Sequence, residues 1–150
     1  MANVVTEHML LLVPMMVVIM LFPMVATFVV NNYNNEQRLI VVEEAGNQIG
    51  STIQQVYLLM SLREIQPCTL TIPNPLPSAI ENQQYLITGE QVGFILVLHF
   101  NFPGIPLWYD HIVTLGANAY WEGGTLDSNL PTAGINVTEA QDGSIHLKFG

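Results

Sequence analysis

The segment formed by residues 9–30 contains no charged side chain, and its only hydroxyl is that of Thr27. As a helix rising 1.5 Å per residue, it would reach roughly 30 Å, which is the thickness of the hydrocarbon layer of a bilayer. The core of a signal peptide is shorter, about 7–15 apolar residues, and follows a cationic stretch. Residues 1–8 contain no Lys or Arg. We therefore expect the segment to remain in the mature protein, as a helix that cannot be left in water.

The charge balance excludes several classes of function. The chain has 3 Lys and Arg residues against 12 Asp and Glu residues, so it lacks the basic patch through which proteins bind nucleic acids. Cys68 is the single cysteine, which excludes an internal disulfide, and no Cys/His cluster has the spacing of a structural zinc site. We predict no cofactor, no metal and no nucleic-acid partner.

A second helical pattern follows the Asn-rich residues 31–35 and covers residues 36–65. Its apolar residues recur mostly at steps of three and four, which is typical of an amphipathic helix with one apolar stripe. The stripe is formed by Leu39, Val42, Ile49, Ile53, Val56 and Met60. Gly46 and Gly50 indicate a close approach of another backbone, and Pro67 predicts the end of the helix. Two arrangements remain open: one continuous helix from the apolar segment onward, or two helices with a hinge at residues 31–35.

From Cys68 onward the apolar pattern alternates, as in β-strands. The candidate strands are residues 68–72, 85–88, 92–100, 107–115, 117–122, 134–138 and 144–149, separated by turn signals such as Gly89-Glu90, Gly123-Gly124 and Asp142-Gly143. Short strands without intervening helices indicate an antiparallel sandwich or a small barrel. Residues 94–98 are apolar on both faces, so we expect a central strand covered by sheet on one side and by the amphipathic helix on the other.

The sequence thus predicts an α+β fold, in which a long N-terminal helix, apolar and then amphipathic, precedes a C-terminal antiparallel β-sandwich head. The predicted domains are residues 1–66 and 67–150. This organisation resembles the type IV pilins, and most closely the archaeal pilins and archaellins. The stretch that runs from Thr6-Glu7-His8 through Glu43-Glu44-Ala45 to residues 51–57 also looks similar to archaeal pilin-like proteins.

The resemblance implies a structural subunit of an extracellular helical filament. Its N-terminal helices would bundle with copies of themselves, its heads would lie outside, and the membrane would hold the subunit before assembly. The implied role is adhesion, with surfaces or glycans as ligands. Precursors of the family carry a basic leader; here it either was removed before Met1 or follows a different processing rule. The alternative is a membrane-anchored single-pass protein, a minor pilin or an ectodomain, that binds a partner or a glycan.

Seven residues are candidates for assembly: Glu7, Pro14, Val17, Val18, Phe22, Pro23 and Phe28. Glu7 resembles the acidic residue that pairs with the N-terminal amine of a neighbouring subunit in bacterial pilins; solvation at a helix N-terminus, where the dipole favours an anion, is the alternative. The two prolines each remove a backbone hydrogen bond, so they are expected to kink or locally melt the helix.

No arrangement in the sequence predicts catalysis, so we expect a protein that is not an enzyme. A metal site formed by His99, Asp110 and His111 is disfavoured, because adjacent residues of a strand point to opposite faces. No nucleophile elbow, phosphate loop or metalloprotease helix is present.

Two surface features are predicted for the head. Asn136-Val137-Thr138 is an N-glycosylation acceptor, and Asn136 is expected to point outward, opposite Ile135 and Val137. Four aromatic residues either form an exposed adhesive patch or fill the core of the sandwich; these are Trp108, Tyr109, Tyr120 and Trp121.

Overall fold

The computed structural model describes residues 2–62, 68–104 and 107–150, with side chains from residue 14 onward and that of Leu12. The chain divides into two compact units, Met1–Arg38 and Leu39–Gly150. A single helix, α1 (Ala2–Ser61), contributes residues to both. It continues through residues 31–35, because Asn costs a helix well under 1 kcal/mol per residue and no Gly or Pro lies between Met24 and Ala45. The predicted domain boundary at residues 66 and 67 lies outside the described residues.

Eight strands follow the helix: β1 (Cys68–Pro73), β2 (Leu86–Val92), β3 (Ile95–Asn101), β4 (Trp108–Thr114), β5 (Ala119–Gly123), β6 (Thr125–Asp127), β7 (Gly134–Glu139) and β8 (Ile145–Phe149). They form two four-stranded sheets, with the strand orders β1-β7-β8-β5 and β4-β3-β2-β6. The predicted α+β fold with a long N-terminal helix and a β-rich C-terminal part is confirmed. One strand pair departs from the antiparallel prediction, since β5 and β8 run parallel.

The turn predicted at Gly89-Glu90 is wrong, because both residues lie within β2. The β2–β3 hairpin turns instead at Gly93 and Phe94, between the paired residues Val92 and Ile95. Gly93 has a φ of 64°, a conformation that glycine adopts at the first central position of type II′ hairpin turns. Gly89 serves packing instead. A Cβ there would lie 2.6 Å from Cε2 of Trp121.

The core lies between the two sheets and is completed by α1. Its largest fully buried side chains come from both sheets and from the helix, and include Ile49, Ile53, Tyr85, Ile87, Leu96, Leu98, Phe100, Leu126, Ile135, Ile145 and Leu147. The apolar stripe of α1 is buried as predicted from Val42 to Met60, with Ala45 added. Leu39 does not belong to it, since 41% of that residue is exposed.

Within the unit Leu39–Gly150, α1 lies against one edge strand of each sheet. Gly46 and Gly50 face His111 of β4, and Met60 Sδ lies 3.6 Å from Cys68 Sγ of β1. The two strands are the terminal strands of their sheets, so the helix closes one open side of the sandwich.

Two predictions about this packing are wrong in detail. The close approach at Gly46 and Gly50 is made by the imidazole of His111 rather than by a backbone. β3 is flanked by β2 and β4 as expected, but its second face is not buried by the helix: Ile95 is 43% exposed, and Val97 and His99 are only half-buried. The helix packs along β4 instead, because His111 and Val113 point from that edge strand towards it.

Candidate functional site

The first unit presents an unusual helical surface between Leu12 and Val30. Every large apolar side chain described in this stretch is exposed, from 48% for Val17 to 76% for Met20. No charged residue interrupts the stretch. A helix that is apolar around its whole circumference is normally found inside a protein core or a membrane. This surface therefore requires a partner that the unit itself does not supply.

The predicted assembly residues are distributed around this helix. With about 100° of rotation per residue, Pro14, Val18 and Phe22 share one face, and Val17 and Phe28 lie on the adjoining face. Pro23 lies opposite them. Phe22 and Phe28, at 73% and 65%, are among its more exposed side chains. The arrangement favours burial from several directions at once over contact with one flat surface.

The helix continues through both Pro14 and Pro23. A proline has no N–H to offer the carbonyl one turn earlier, so each leaves one backbone acceptor without its usual helical partner. One turn after Pro23, the hydroxyl of Thr27 donates to the Pro23 carbonyl at 2.7 Å. Such a bond lets the segment's only hydroxyl avoid exposure as an unpaired donor in apolar surroundings.

Glu7 lies in the helical backbone of α1, but its side chain is outside the described part of the structure, so intersubunit pairing stays a prediction. Within the described residues, one helix is long and apolar enough to cross a membrane, and it is α1. Length and composition are the basis of that finding, which holds for a membrane anchor and for a buried assembly helix alike.

Asn136 has the orientation that the alternation of its strand predicts. Ile135 and Val137 are fully buried, and Asn136 is half-buried on the opposite, outer face of its sheet. Its Oδ1 accepts a hydrogen bond from the hydroxyl of Thr71 at 2.8 Å. The side-chain nitrogen lies over Gly150, where a Cβ would approach it to 2.7 Å. Glycosylation itself stays a prediction.

The contact between α1 and β4 contains a half-buried histidine. Desolvation lowers the pKa of His111, and Glu43 on the helix opposes that shift. The neighbouring ring of Tyr109 stacks on the imidazole at 6.4 Å, and desolvation raises the pKa of its phenol, with Glu43 adding to the effect. Burial between the helix glycines and the sheet thus favours the neutral imidazole over the charged one.

The disfavoured metal site is divided between two faces. His99 Nδ1 lies 2.7 Å from Asp110 Oδ1 on the outer face of the sheet, whereas His111 points inward against α1. Among the side chains that the structure describes, no group of three or more His, Cys, Asp and Glu could hold a metal ion.

One polar cluster was not predicted from the sequence. His146 Nδ1 lies 3.0 Å from Glu122 Oε1, and His146 Nε2 lies 3.0 Å from the Ser144 hydroxyl. That hydroxyl donates to Asp142 at 2.6 Å, and this bond lowers the pKa of Asp142. Because the serine proton is directed to Asp142, the serine oxygen faces the imidazole as an acceptor. Only the parallel pairing of β5 with β8 brings Glu122 to His146, and no local signal in the sequence indicates that pairing.

The four aromatic residues divide between the two alternatives. Trp121 packs edge-on against Phe149 at 4.7 Å, and Tyr109 against Phe100 at 5.9 Å. Trp108 and Tyr120 are 75% and 51% exposed, but they lie on different sheets. The four therefore do not form one adhesive patch.

No family model, no curated protein and no solved structure matches the chain.

Proposed function

We propose that this protein is a structural subunit of an extracellular helical filament of the type IV pilin kind, and that it assembles through residues 9–30. The membrane would hold the subunit before assembly, and the β unit would be displayed for adhesion. The observation that carries the proposal is the uncharged helix surface between Leu12 and Val30, on which every described large apolar side chain is exposed. Contiguous apolar surfaces of this kind mark interaction sites.

Copies of the same segment are a suitable partner for that surface. Each large apolar side chain moved from water into a packed bundle gains about 1.5–3 kcal/mol. Transfer from lipid gains less, because the side chain is already out of water, so packing of adaptable Met and β-branched Val residues would have to supply part of the stabilisation.

A membrane-anchored ectodomain is the second candidate, and the length and composition of α1 favour it equally. A permanent span usually has Lys or Arg close to its cytoplasmic end. On the C-terminal side of the segment the first cation is Arg38, about two helical turns beyond Val30. That distance favours a helix that leaves the membrane.

Imaging of the full-length chain separates the two candidates. The protein is purified in detergent, the detergent is removed by dialysis with and without liposomes, and both samples are examined by negative stain. A filament subunit gives rods of uniform diameter, and the same protein kept in detergent is the control. A membrane anchor would instead give dispersed particles without lipid, float quantitatively with liposomes, and form no rods in either sample. That result would contradict the filament proposal.

A further inference from the structure

A groove of about 120 Å³ lies between α1 and the loop after β1. Most of its lining is apolar, and Glu44 and Gln48 supply polar groups; the apolar lining residues are Val41, Ala45, Leu76, Pro77 and Ile80. A groove with apolar walls and a carboxylate suits a side chain that is apolar along its stem and cationic at its tip. Arginine has that form.

Hydrogen bonds fix the loop that forms one wall of the groove. Gln48 Nε2 on the helix donates to the carbonyl of Pro75 at 3.1 Å. The hydroxyl of Tyr85 donates to the carbonyl of Pro77 at 2.7 Å and accepts from Asn74 Nδ2 at 2.9 Å. Burial raises the pKa of Tyr85, so the phenol stays a donor. The loop is thereby anchored both to α1 and to the core.

Arg38 has no ion-pair or side-chain hydrogen-bond partner among the residues that the structure describes. Its Nε atom is buried and has no hydrogen-bond partner, and the ion pairs found among the described residues all involve histidine. Three carboxylates on the same helix are exposed, those of Glu36, Glu43 and Glu44. A buried polar atom that stays unpaired is uncommon in a finished structure and needs an explanation.

We propose that Arg38 of one copy enters the groove of a second copy and forms an ion pair with Glu44. This inference rests on the proposed filament. Charge complementarity identifies the occupant: the chain has only three fixed cations and a formal net charge of −9, so like copies repel unless a cation of one meets a carboxylate of the next. The guanidinium binds a carboxylate through two parallel hydrogen bonds, while its stem covers Leu76 and Ile80.

The pairing sets a geometry for assembly. Arg38 and Glu44 are six residues apart in sequence, not the three or four that place side chains together on one helix. Six residues correspond to about 9 Å of helix rise, so parallel neighbours that pair in this way are displaced along the axis by a distance of this order. Such a head-to-tail contact does not close on itself and therefore continues into a filament.

Charge reversal in the full-length chain tests the inference. Arg38→Glu and Glu44→Arg each place like charges together and should reduce filament mass after detergent removal on the order of tenfold or more. An equimolar mixture of the two variants should recover assembly, because each supplies the charge that the other lacks. Glu43→Arg is the matched control, as it reverses an exposed carboxylate of the same helix that does not line the groove. Thermal melting in detergent verifies that every variant folds.

The outcomes separate this inference from the function on which it rests. Wild-type filaments together with normal filaments from both reversed variants would overturn the Arg38–Glu44 pairing and leave the filament proposal intact. In mixtures with Arg38→Glu, the pairing predicts that Glu44→Arg recovers assembly. If Glu43→Arg recovers it instead, the pairing is overturned, because the groove is then not the acceptor. Absence of rods from the wild-type chain would overturn both proposals.

Discussion

The two parts of α1 are both helical and rich in apolar residues, but they differ in how those residues are arranged. Between Leu12 and Val30 the described large apolar side chains surround the helix and are exposed. From Val42 to Met60 most of them follow one stripe that is buried almost completely against the sheets, and only Leu58 and Leu59 remain exposed among the large ones. The first part contains two prolines and the second contains Gly46 and Gly50. The period of the apolar residues, rather than their number, thus determines whether a helix segment finds its partner within its own chain.

The largest expected effect, a loss of assembly, comes from placing a charge in the exposed apolar part of α1. Val17→Asp and Val18→Asp should each abolish assembly and leave the β unit folded, because a charge in mid-membrane already costs about 3 kcal/mol and a packed bundle offers it no partner. Val17→Leu, which keeps the segment apolar, is the control. Rods in negative stain and the melting temperature are the two measurements. Normal rods from both Asp variants would remove the contrast between the two parts.

Adding a methyl group at Gly50 tests the part of α1 that is buried against the sheets. Alanine favours a helix over glycine by about 1 kcal/mol, yet a Cβ at Gly50 would lie 2.8 Å from His111 Nε2 and 3.1 Å from Val113 Cγ2. We expect Gly50→Ala to destabilise the unit Leu39–Gly150 by about 1–3 kcal/mol, as overpacking does. Urea unfolding of the full chain in detergent measures this change.

The control and the rescue for that variant lie close by. Asn47→Ala adds no bulk at an exposed position of the same helix and should not destabilise. Adding His111→Ala to Gly50→Ala removes the obstructing ring, so the double variant should show a favourable coupling free energy. A Gly50→Ala protein more stable than the wild type would show that helix propensity outweighs the contact.

A smaller effect is expected from pH. Because the pKa of His111 is lowered in the folded unit, the unfolded chain takes up a proton near its ordinary pKa of about 6.5 while the folded chain does not. The free energy of unfolding should therefore decrease as the pH falls below about 6.5, until the folded pKa is reached. Urea midpoints at pH 7.5 and 5.5 measure this loss.

Histidine variants assign the pH effect. His111→Gln should lose part of the difference between the two pH values, whereas His99→Gln, on the outer face of the sheet, should keep the share that belongs to His111. An unchanged pH dependence in His111→Gln would show that the imidazole is not what makes the contact between α1 and β4 acid-sensitive.

The smallest effect on assembly is expected at Asn136. A glycan there would project from the outer face of its sheet, and the intact mass of the native protein should exceed that of the polypeptide. Asn136→Gln and Thr138→Val should remove the added mass, Thr138→Ser should retain it, and all three should still form rods. A native mass equal to that of the bare polypeptide would disprove the modification.

Local patterns predicted much of this fold, and long-range contacts account for what they missed. The apolar segment, the stripe from Val42 to Met60 and the alternation around Asn136 each follow from spacing along the chain. The turn predicted at Gly89 is wrong because a long-range contact, not a turn, requires glycine there. The indole of Trp121 reaches Gly89 from the other sheet and leaves no room for a Cβ. Likewise, the His111 contact with Gly50 and the groove beside Glu44 join elements far apart in sequence, and the periodicity of one segment does not identify its partners.

A helical reconstruction of filaments by electron cryomicroscopy tests the central claim most directly, because it locates residues 9–30. We predict that this segment lies in the filament interior, in contact with the same segment of several other copies and shielded from solvent, with the β units outside. Filaments in which residues 9–30 face solvent, or single copies held only by lipid or detergent through this segment, would contradict the account.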